Sequence, residues 1–326
     1  MDQYLEQNNP HISFIILNWN QCAVTLDCLE SLNMLDYPNY DITIVDNGSS
    51  DHSVEIIRKK YPNCMIIENP VNLGYSEGNN VGIRYALSLN SEYIFLLNND
   101  TFIDKSLLAQ LVRVFNNDPT VGIAGPSMFY ANSNDVLWGG RNWIDWPKAR
   151  VVREKMGEVI DVKSLPNQSS QEVMYIDSCA ILVKAEVFKK IGLMDNRYFI
   201  NFDDIDLCVR ARKAGYKIVY VPSGMIWHRV SAAIGIGSPA NTYYMTRNAL
   251  LFFSRHSPGI LKLKNTIRLL FNTARSILAW TIKQEYKEEI YRYKIRANLL
   301  AVRDFFLGRF GEMGEDVRRV CYGNNA

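Results

Sequence analysis

Amides, acids and one histidine gather at a few points of this 326-residue chain, in a pattern that suits ligand binding better than packing. Asn18-Trp19-Asn20, Asp46-Asn47-Gly48 and Asn98-Asn99-Asp100 each close a short apolar run. The stretch Asn72-Leu73-Gly74-Tyr75-Ser76-Glu77-Gly78-Asn79-Asn80 follows another. Singly, an Asn or Asp after a strand satisfies local backbone groups. Four such ends in succession make a rim of donors and acceptors that fits a nucleotide or nucleotide-sugar. Asp100, after the very apolar YIFLL, offers a hard oxygen ligand to a divalent cation bridging two phosphates. A second cluster, Asp203-Asp204-Ile205-Asp206, follows the aromatic residues Tyr198, Phe199 and Phe202 near the start of a helical segment. One acid there is an ordinary cap. Three exceed that need, and neighbouring carboxylates raise one another's pKa, which helps one to act as a base.

An alternating array of elements must carry these residues. ISFIIL (12–17), DITIV (41–45), residues 64–68 and YIFLL (93–97) read as strands, being short apolar runs bounded by polar segments. Helices are expected at 24–35, stopped by Pro38, at about 53–60 with Ser50 and Asp51 as N-caps, and at 76–90. Four strands alternating with helices predict an α/β fold with an open, mostly parallel sheet covered on both faces. Function in such a sheet collects at the carboxyl ends of the strands. Beyond Asp100 the pattern predicts a helix over about 105–116 and a strand within 121–130. A Trp-containing irregular insertion with short strands follows over 131–170. Strands are expected at 173–183 and 217–222, and helices at 185–190, 204–214 and from Tyr243 onward, clearest over 267–282 and 286–306.

Composition narrows the function classes. A 48% hydrophobic, 21% charged chain of net charge +2 excludes intrinsic disorder, a fibrous repeat and a polytopic membrane protein, and gives no bulk signal for nucleic acid. A GxxxxGK(S/T) loop is absent, as is GxGxxG after the first strand, which disfavours P-loop hydrolysis and the usual dinucleotide fold. The six cysteines show no CxxC spacing and the four histidines form no cluster with them, so reduced thiols in a cytoplasmic protein without zinc are expected. The opening MDQYLEQNNP is unlike a signal peptide, and no stretch of 18 apolar residues lacks a charge.

The chain resembles family 2 glycosyltransferases of the GT-A fold, in the branch of bacterial rhamnosyltransferases for cell-surface polysaccharides. The resemblance rests on NWNQCAVTLDCLESL (18–32), IVDNGSSD (44–51), ENPVNLGYSEGNNVGI (68–83), YIFLLNNDT (93–101) and FINFDDIDLCVRARKAGYKIVYVPSGMIWH (199–228), continuing weakly through YYMTRN (243–248). It implies a nucleoside-diphosphate sugar donor held by the N-terminal half. Asp46 matches the family acid that contacts the base or ribose; Asn18 and Asn20 lie beside it, and Asn72, Gly78 and Asn79 line the same pocket. Asn98-Asn99-Asp100 stands where many relatives carry Asp-x-Asp. This implies Mg²⁺ or Mn²⁺ on Asp100 and Asn98, with Asn99 beside the donor and a weaker ligand where Asn98 replaces an acid. Asp203-Asp204 matches the family's Glu-Asp pair, implying Asp204 as catalytic base and Asp203 in support. His228 stands where relatives supply a further metal or diphosphate contact, and the resemblance implies Arg247 as a contact to the leaving diphosphate. Single in-line displacement would invert the anomeric centre.

The resemblance divides the chain into a catalytic domain over 1–248 and a helical extension over 249–326. In the first, donor binding occupies about 12–130 and the acceptor and catalytic part about 131–248. Charge turns near the same border: residues 258–326 hold 13 Lys plus Arg against 7 Asp plus Glu. Their amphipathic helices have three readings: packing on the catalytic domain, pairing with another subunit as a homo-oligomer, or contact with anionic membrane. The acceptor implied is a glycan, lipid-linked or protein-linked hydroxyl, which places the enzyme in the cytoplasm or at the inner face of the cell membrane. Another donor sugar, a nucleotidylyl or sugar-phosphate transferase, and a non-catalytic sugar-binding relative are the alternatives. Residues 1–57 contain no Lys or Arg to grip phosphate, against the second; both Asp100 and Asp204 are present, against the third.

Overall fold

Each buried strand owes its place to a run of β-branched and aromatic residues that only a two-sided core can cover. The structure, a computed structural model, describes residues 9–230, 235 and 237–323. Two compact units divide the chain: Met1–Trp143, Arg153–Met194 and Leu207–Val230 form the first, and Ile144–Val152, Asp195–Asp206 and Ser231–Ala326 the second.

The first unit opens with β1 (Ile12–Asn18), α1 (Cys22–Leu32), β2 (Tyr40–Asp46), α2 (Ser53–Lys60), β3 (Met65–Glu68), α3 (Gly74–Ser88) and β4 (Tyr93–Asn98). Along the chain there follow β5 (Thr101–Ile103), α4 (Leu107–Asn117), β6 (Val121–Tyr130), β7 (Ser133–Gly139), β8 (Asn142–Asp145), β9 (Arg150–Arg153), β10 (Gln171–Glu172), β11 (Ala180–Lys184), α5 (Ala185–Ile191), α6 (Asp203–Lys213) and β12 (Lys217–His228), of which β8, β9 and α6 have residues in both units. The main sheet runs β10-β12-β6-β11-β4-β1-β2-β3, with β5 on β12 and β7 on β6. β4, β1, β2 and β3 are parallel, β11 is antiparallel to its neighbours, and β12 and β6 are parallel again. The expected α/β architecture, an open and mostly parallel sheet flanked by helices, is therefore present. At its centre Phe14 of β1 stacks on Phe95 of β4 with ring centroids 4.9 Å apart.

Strand register brings the polar ends level. Asn18 pairs with Asp46, Asp46 with Glu68, and Leu17 with Asn98, so one row of residues crosses the carboxyl edge of the sheet. One sequence expectation needs correction here. The strand predicted over 173–183 is interrupted: β10 ends at Glu172 and β11 begins at Ala180. Between them Asp177 is buried and holds Arg153, with Arg153 Nε 3.0 Å from Asp177 Oδ1, while Asn142 Nδ2 donates across 2.8 Å to Oδ2. A buried carboxylate needs that convergence of donors, and an unbroken ladder would deny it.

Glycines seat the strand-end loops. Gly48 has φ +76°, and a Cβ there would lie 2.8 Å from the backbone carbonyl carbon of Val71. Backbone does not yield as a side chain does. Gly48→Ala is expected to destabilise the protein by about 1–3 kcal/mol, read from chemical denaturation.

In the second unit, α7 (Pro239–His256), α8 (Leu261–Ile282), α9 (Glu289–Phe306) and α10 (Glu315–Tyr322) form a helical array, so the C-terminal helical extension is observed. Small residues Ala240, Ala297 and Ala301 share a buried cluster with Tyr243, Tyr244, Met313 and Val317. Tyr243 Oη donates to Asp304 Oδ2 at 2.8 Å, satisfying a buried acid.

Candidate active site

A chain of hydrogen bonds ties the strand ends of the first unit together. Asn99 Nδ2 donates to Thr25 Oγ1 at 2.9 Å, and Thr25 Oγ1 donates to Asn18 Oδ1 at 2.6 Å. Asn18 Nδ2 then donates to Asp46 Oδ1 at 2.8 Å, while the backbone N–H of Ser49 donates to Asp46 Oδ2 at 2.9 Å. Both carboxylate oxygens of Asp46 are thus oriented, each with a lone-pair direction remaining for a further donor. Asn18 is fully buried, so it positions Asp46 rather than facing a ligand. Asn20 adopts φ 51° and accepts from the Ser50 backbone N–H at 2.7 Å, fixing the loop that carries Ser49. A cavity of about 430 Å³ opens here, lined among others by Asp46, Gly48, Ser49, Arg58 and Asn69.

The loop after β3 is organised by Asn47, which pattern reading left as one member of a strand end. Asn47 Nδ2 donates to Asn72 Oδ1 at 2.8 Å and to Gly74 O at 3.1 Å, while its Oδ1 accepts from Asn69 Nδ2 at 3.0 Å. Asn72 Oδ1 also accepts from Gly74 N at 2.8 Å, satisfying a free donor at the start of α3. That contact explains why the helix begins at Gly74, two residues before the predicted start. Gly78 serves close packing: a Cβ there would stand 2.6 Å from Leu17 Cδ1. Asn79 is buried and donates to Tyr75 O at 2.9 Å. Neither presents an open surface.

Asp100 and His228 meet. β5 and β12 pair with Thr101 opposite His228, and the Arg229 backbone N–H donates to Asp100 O at 2.9 Å. This brings His228 Nε2 to 2.9 Å from Asp100 Oδ1, with both side chains buried. Trp138 packs its ring edge-on to His228 at 4.9 Å, and the Arg153 guanidinium lies 4.6 Å from the Trp138 ring centroid. The Arg153–Asp177 pair beside that ring, its acid buried and its arginine exposed, escaped sequence reading because the partners stand 24 residues apart. Asn98 is turned another way, with Oδ1 accepting from Tyr75 Oη at 3.0 Å.

The fit to a divalent ion can be judged from these groups. His228 Nδ1 is buried without a hydrogen-bond partner among the described residues, and a carboxylate and an imidazole stand together. Among the described residues no group of three or more His, Cys, Asp or Glu side chains forms a closed cage. Two protein ligands with the rest from diphosphate and water is how Mg²⁺ is commonly held, so the pair fits such an ion.

In the second unit the three acids separate into different roles. Asp206 is fully buried and structural: Oδ1 accepts from Tyr198 Oη at 3.2 Å and lies 2.7 Å from His256 Nε2. Asp203 is buried too, and its Oδ2 has no partner among the described residues. Burial first, and the charges of Asp204 and Asp206 next, push its carboxyl well above the usual range. Asp204 is only partly buried, with Oδ1 accepting from the Ile205 backbone N–H at 2.8 Å.

The turn before these acids is strained. Phe199, Asn201 and Phe202 have φ of 63°, 66° and 71°, conformations costing about 1–3 kcal/mol each for ordinary side chains. Asn248 Nδ2 holds them, lying 2.8 Å from Tyr198 O, 2.8 Å from Ile200 O and 3.1 Å from Asn201 O. Arg247 completes the clamp. It has no exposed surface, and its guanidinium donates to Gly311 O at 2.9 Å and Arg197 O at 3.2 Å. The expected reach to a diphosphate is therefore not open to it: its donors are committed to backbone carbonyls, to Asn248 Oδ1 and to Tyr243 Oη.

Arg255 links the turn to Asp195, with Nη1 2.7 Å from Asp195 Oδ2 and 3.6 Å from Asp206 Oδ1. Burial pushes the Asp195 carboxyl up, but hydrogen bonds from Arg197 and Arg255 more than offset that and hold it at about 2. A depressed carboxylate stabilises above its unfolded pKa and loses that contribution as pH falls through its folded one. The shift corresponds to about 2 kcal/mol, present above about pH 4 and lost toward pH 2. Denaturation of wild type and Asp195→Asn across that range should show the gap closing; a pH-independent gap would contradict the assignment.

The open sheet, the polar row at its carboxyl edge and the helical extension define a GT-A glycosyltransferase architecture. The chain belongs to glycosyl transferase family 2, whose family model matches residues 13–192. It is 25% identical over 295 residues to dTDP-rhamnosyl transferase RfbF of Shigella flexneri, covering 86% of this chain and 93% of that one. It is 25% identical over 226 residues to poly-beta-1,6-N-acetyl-D-glucosamine synthase of Staphylococcus epidermidis, covering 69% of this chain but only 51% of the synthase. N-acetylglucosaminyl-diphospho-decaprenol L-rhamnosyltransferase of Mycobacterium tuberculosis is 23% identical over 250 residues, 70% of this chain and 80% of that protein. Among solved structures, the mannosyltransferase PcManGT of Pyrobaculum calidifontis, in complex with GDP-Man and Mn²⁺, superposes with TM-score 0.58 at 15% identity, covering 93% and 89% of the two chains. S. aureus TarS 1–349 with UDP-GlcNAc gives 0.56 at 16% identity, covering 95% and 83%.

Proposed function

We propose that the chain is an inverting glycosyltransferase moving rhamnose from a nucleoside-diphosphate sugar to a hydroxyl of a cell-surface glycan, lipid-linked or protein-linked acceptor. The observation that carries the reading is the oriented Asp46 carboxylate in one row with the ends of β1 and β4, on a family 2 chain. Rhamnose is favoured over other sugars by the likeness to the rhamnosyl transferase RfbF, alignable over nearly its whole length, and to the mycobacterial rhamnosyltransferase.

In this reading Asp46 receives the base or ribose of the donor, and Asn18, Thr25 and Ser49 keep its oxygens aimed. Asp100 and His228 would hold Mg²⁺ or Mn²⁺, which would offset charge growing on the leaving diphosphate. Asp204 takes the proton of the acceptor hydroxyl as that oxygen attacks the anomeric carbon, and Asp203 supports it. The diphosphate needs no protonation by a second carboxylic acid, unlike the leaving group of an inverting glycoside hydrolase.

A thermal-shift series with dTDP-rhamnose, UDP-GlcNAc, UDP-glucose and GDP-mannose, each with and without Mg²⁺ or Mn²⁺, tests the donor. Selective stabilisation by dTDP-rhamnose is expected, about 2.7 kcal/mol at a hundredfold excess over Kd. Selective stabilisation by another nucleotide-sugar would replace rhamnose as the donor.

A further inference from the structure

Helix α8 turns its apolar face to the solvent. Ile260, just before it, and Leu263, Ile267, Phe271, Leu278 and Ile282 are 57–84% exposed, whereas Asn265 is its one buried residue. At 3.6 residues per turn those six side chains fall within an arc of about 100°. Asn265 anchors the opposite side, where Nδ2 donates to Ser257 Oγ at 2.9 Å and Trp146 O at 2.8 Å. Packing therefore accounts for only part of the helix: Leu269, Leu270, Ile277 and Trp280 are partly covered, while the stripe is left in solvent.

Charge selects the occupant. From 257 through 284 the chain has no Asp or Glu, while α8 carries Lys262, Lys264, Arg268 and Arg275. On the same helical geometry Lys264, Arg268 and Arg275 run along one border of the apolar stripe. None of the four basic side chains is in a salt bridge among the described residues. A second copy laid on this stripe would set cation against cation, which disfavours an interface. An anionic bilayer surface offers hydrocarbon for the stripe and headgroup phosphates for its border, each basic residue adding attraction. Among the described residues no helix is long and apolar enough to cross a membrane, so the helix would lie in the interface plane.

We infer that α8 docks the protein on anionic lipid, with the Ile260–Ile282 stripe inserted and Lys264, Arg268 and Arg275 at the headgroups. The inference does not depend on which sugar is transferred.

The full chain is sedimented with vesicles of phosphatidylcholine alone and of phosphatidylcholine with phosphatidylglycerol, at low and high salt. Wild type should pellet with the anionic vesicles, and binding should fall at least about tenfold in high salt or on neutral vesicles. Phe271→Ser/Leu278→Ser should lose vesicle binding with an unchanged unfolding midpoint, since both side chains are exposed, and Arg268→Gln/Arg275→Gln should lose at least about tenfold. Wild type that stays in the supernatant, variants that bind as wild type does, or a dimer in solution that Phe271→Ser/Leu278→Ser dissolves would each overturn the assignment.

Discussion

Asp204→Asn is expected to lower turnover by about 10²–10⁴-fold while donor affinity stays within about twofold. The amide keeps the size of the side chain and the acceptor for the Ile205 backbone N–H at 2.8 Å, so the turn should survive. What it removes is the acid of the cluster that is only partly buried. Asp206 is fully buried against Tyr198 and His256, and Asp203 is buried with its carboxyl pushed well above the usual range. Single-turnover transfer to acceptor, set beside donor binding by calorimetry, reads both quantities. Near-normal turnover in Asp204→Asn would falsify the base assignment. Asp203→Asn is the informative companion: Asp203 supports the base without taking the proton, so its amide should cost far less than the change at 204.

Asp100→Asn is expected to raise the divalent-ion concentration needed for half-maximal activity by about tenfold or more, and to lower turnover at fixed metal by about 10²-fold. An amide oxygen carries no charge, and His228 would be left as the one strong ligand of the pair now 2.9 Å apart. Excess metal should recover part of the lost turnover, whereas a purely structural role for Asp100 would leave the loss insensitive to metal. Titration of Mg²⁺ and Mn²⁺ against both proteins separates the two outcomes. The same titration on His228→Gln should shift in the same direction, because an imidazole is a stronger ligand than a side-chain amide.

Much of the sheet was legible because buried strands write their burial locally. Residues 12–17 and 93–97 are short apolar runs, and β1 and β4 lie there with nearly every side chain covered. Helix α2 begins and ends at the predicted Ser53 and Lys60. The interruption between Glu172 and Ala180 was not legible, since Asp177 acquires its reason only when Arg153 and Asn142 arrive from elsewhere in the chain. Thr25 and Asn47 were missed for the same cause. A threonine in a helix and an asparagine after a strand look ordinary until their partners, Asn18 and Asn99 or Asn69 and Asn72, are in place.

Arg247 shows the opposite error. A basic residue in a motif segment is read as a ligand for an anion, yet here it lies buried beside Asn248 under a left-handed turn. Left-handed φ at Phe199 and Phe202 leaves no mark in residue type, because those side chains avoid it. The clamp that sustains it is therefore invisible in sequence as well.

By itself the sequence determined the alternation of strands and helices, the amide and acid types at the strand ends, and the amphipathic, acid-free character of residues 257–284, all properties of neighbours in the chain. Only the tertiary structure decided which of three adjacent aspartates is left partly exposed, which amides aim Asp46, that Asp100 meets His228, and that the apolar stripe of α8 faces outward. Each of these depends on what approaches from a distant segment. Burial, desolvation and hydrogen-bond partnership are set by that approach, not by residue type or spacing.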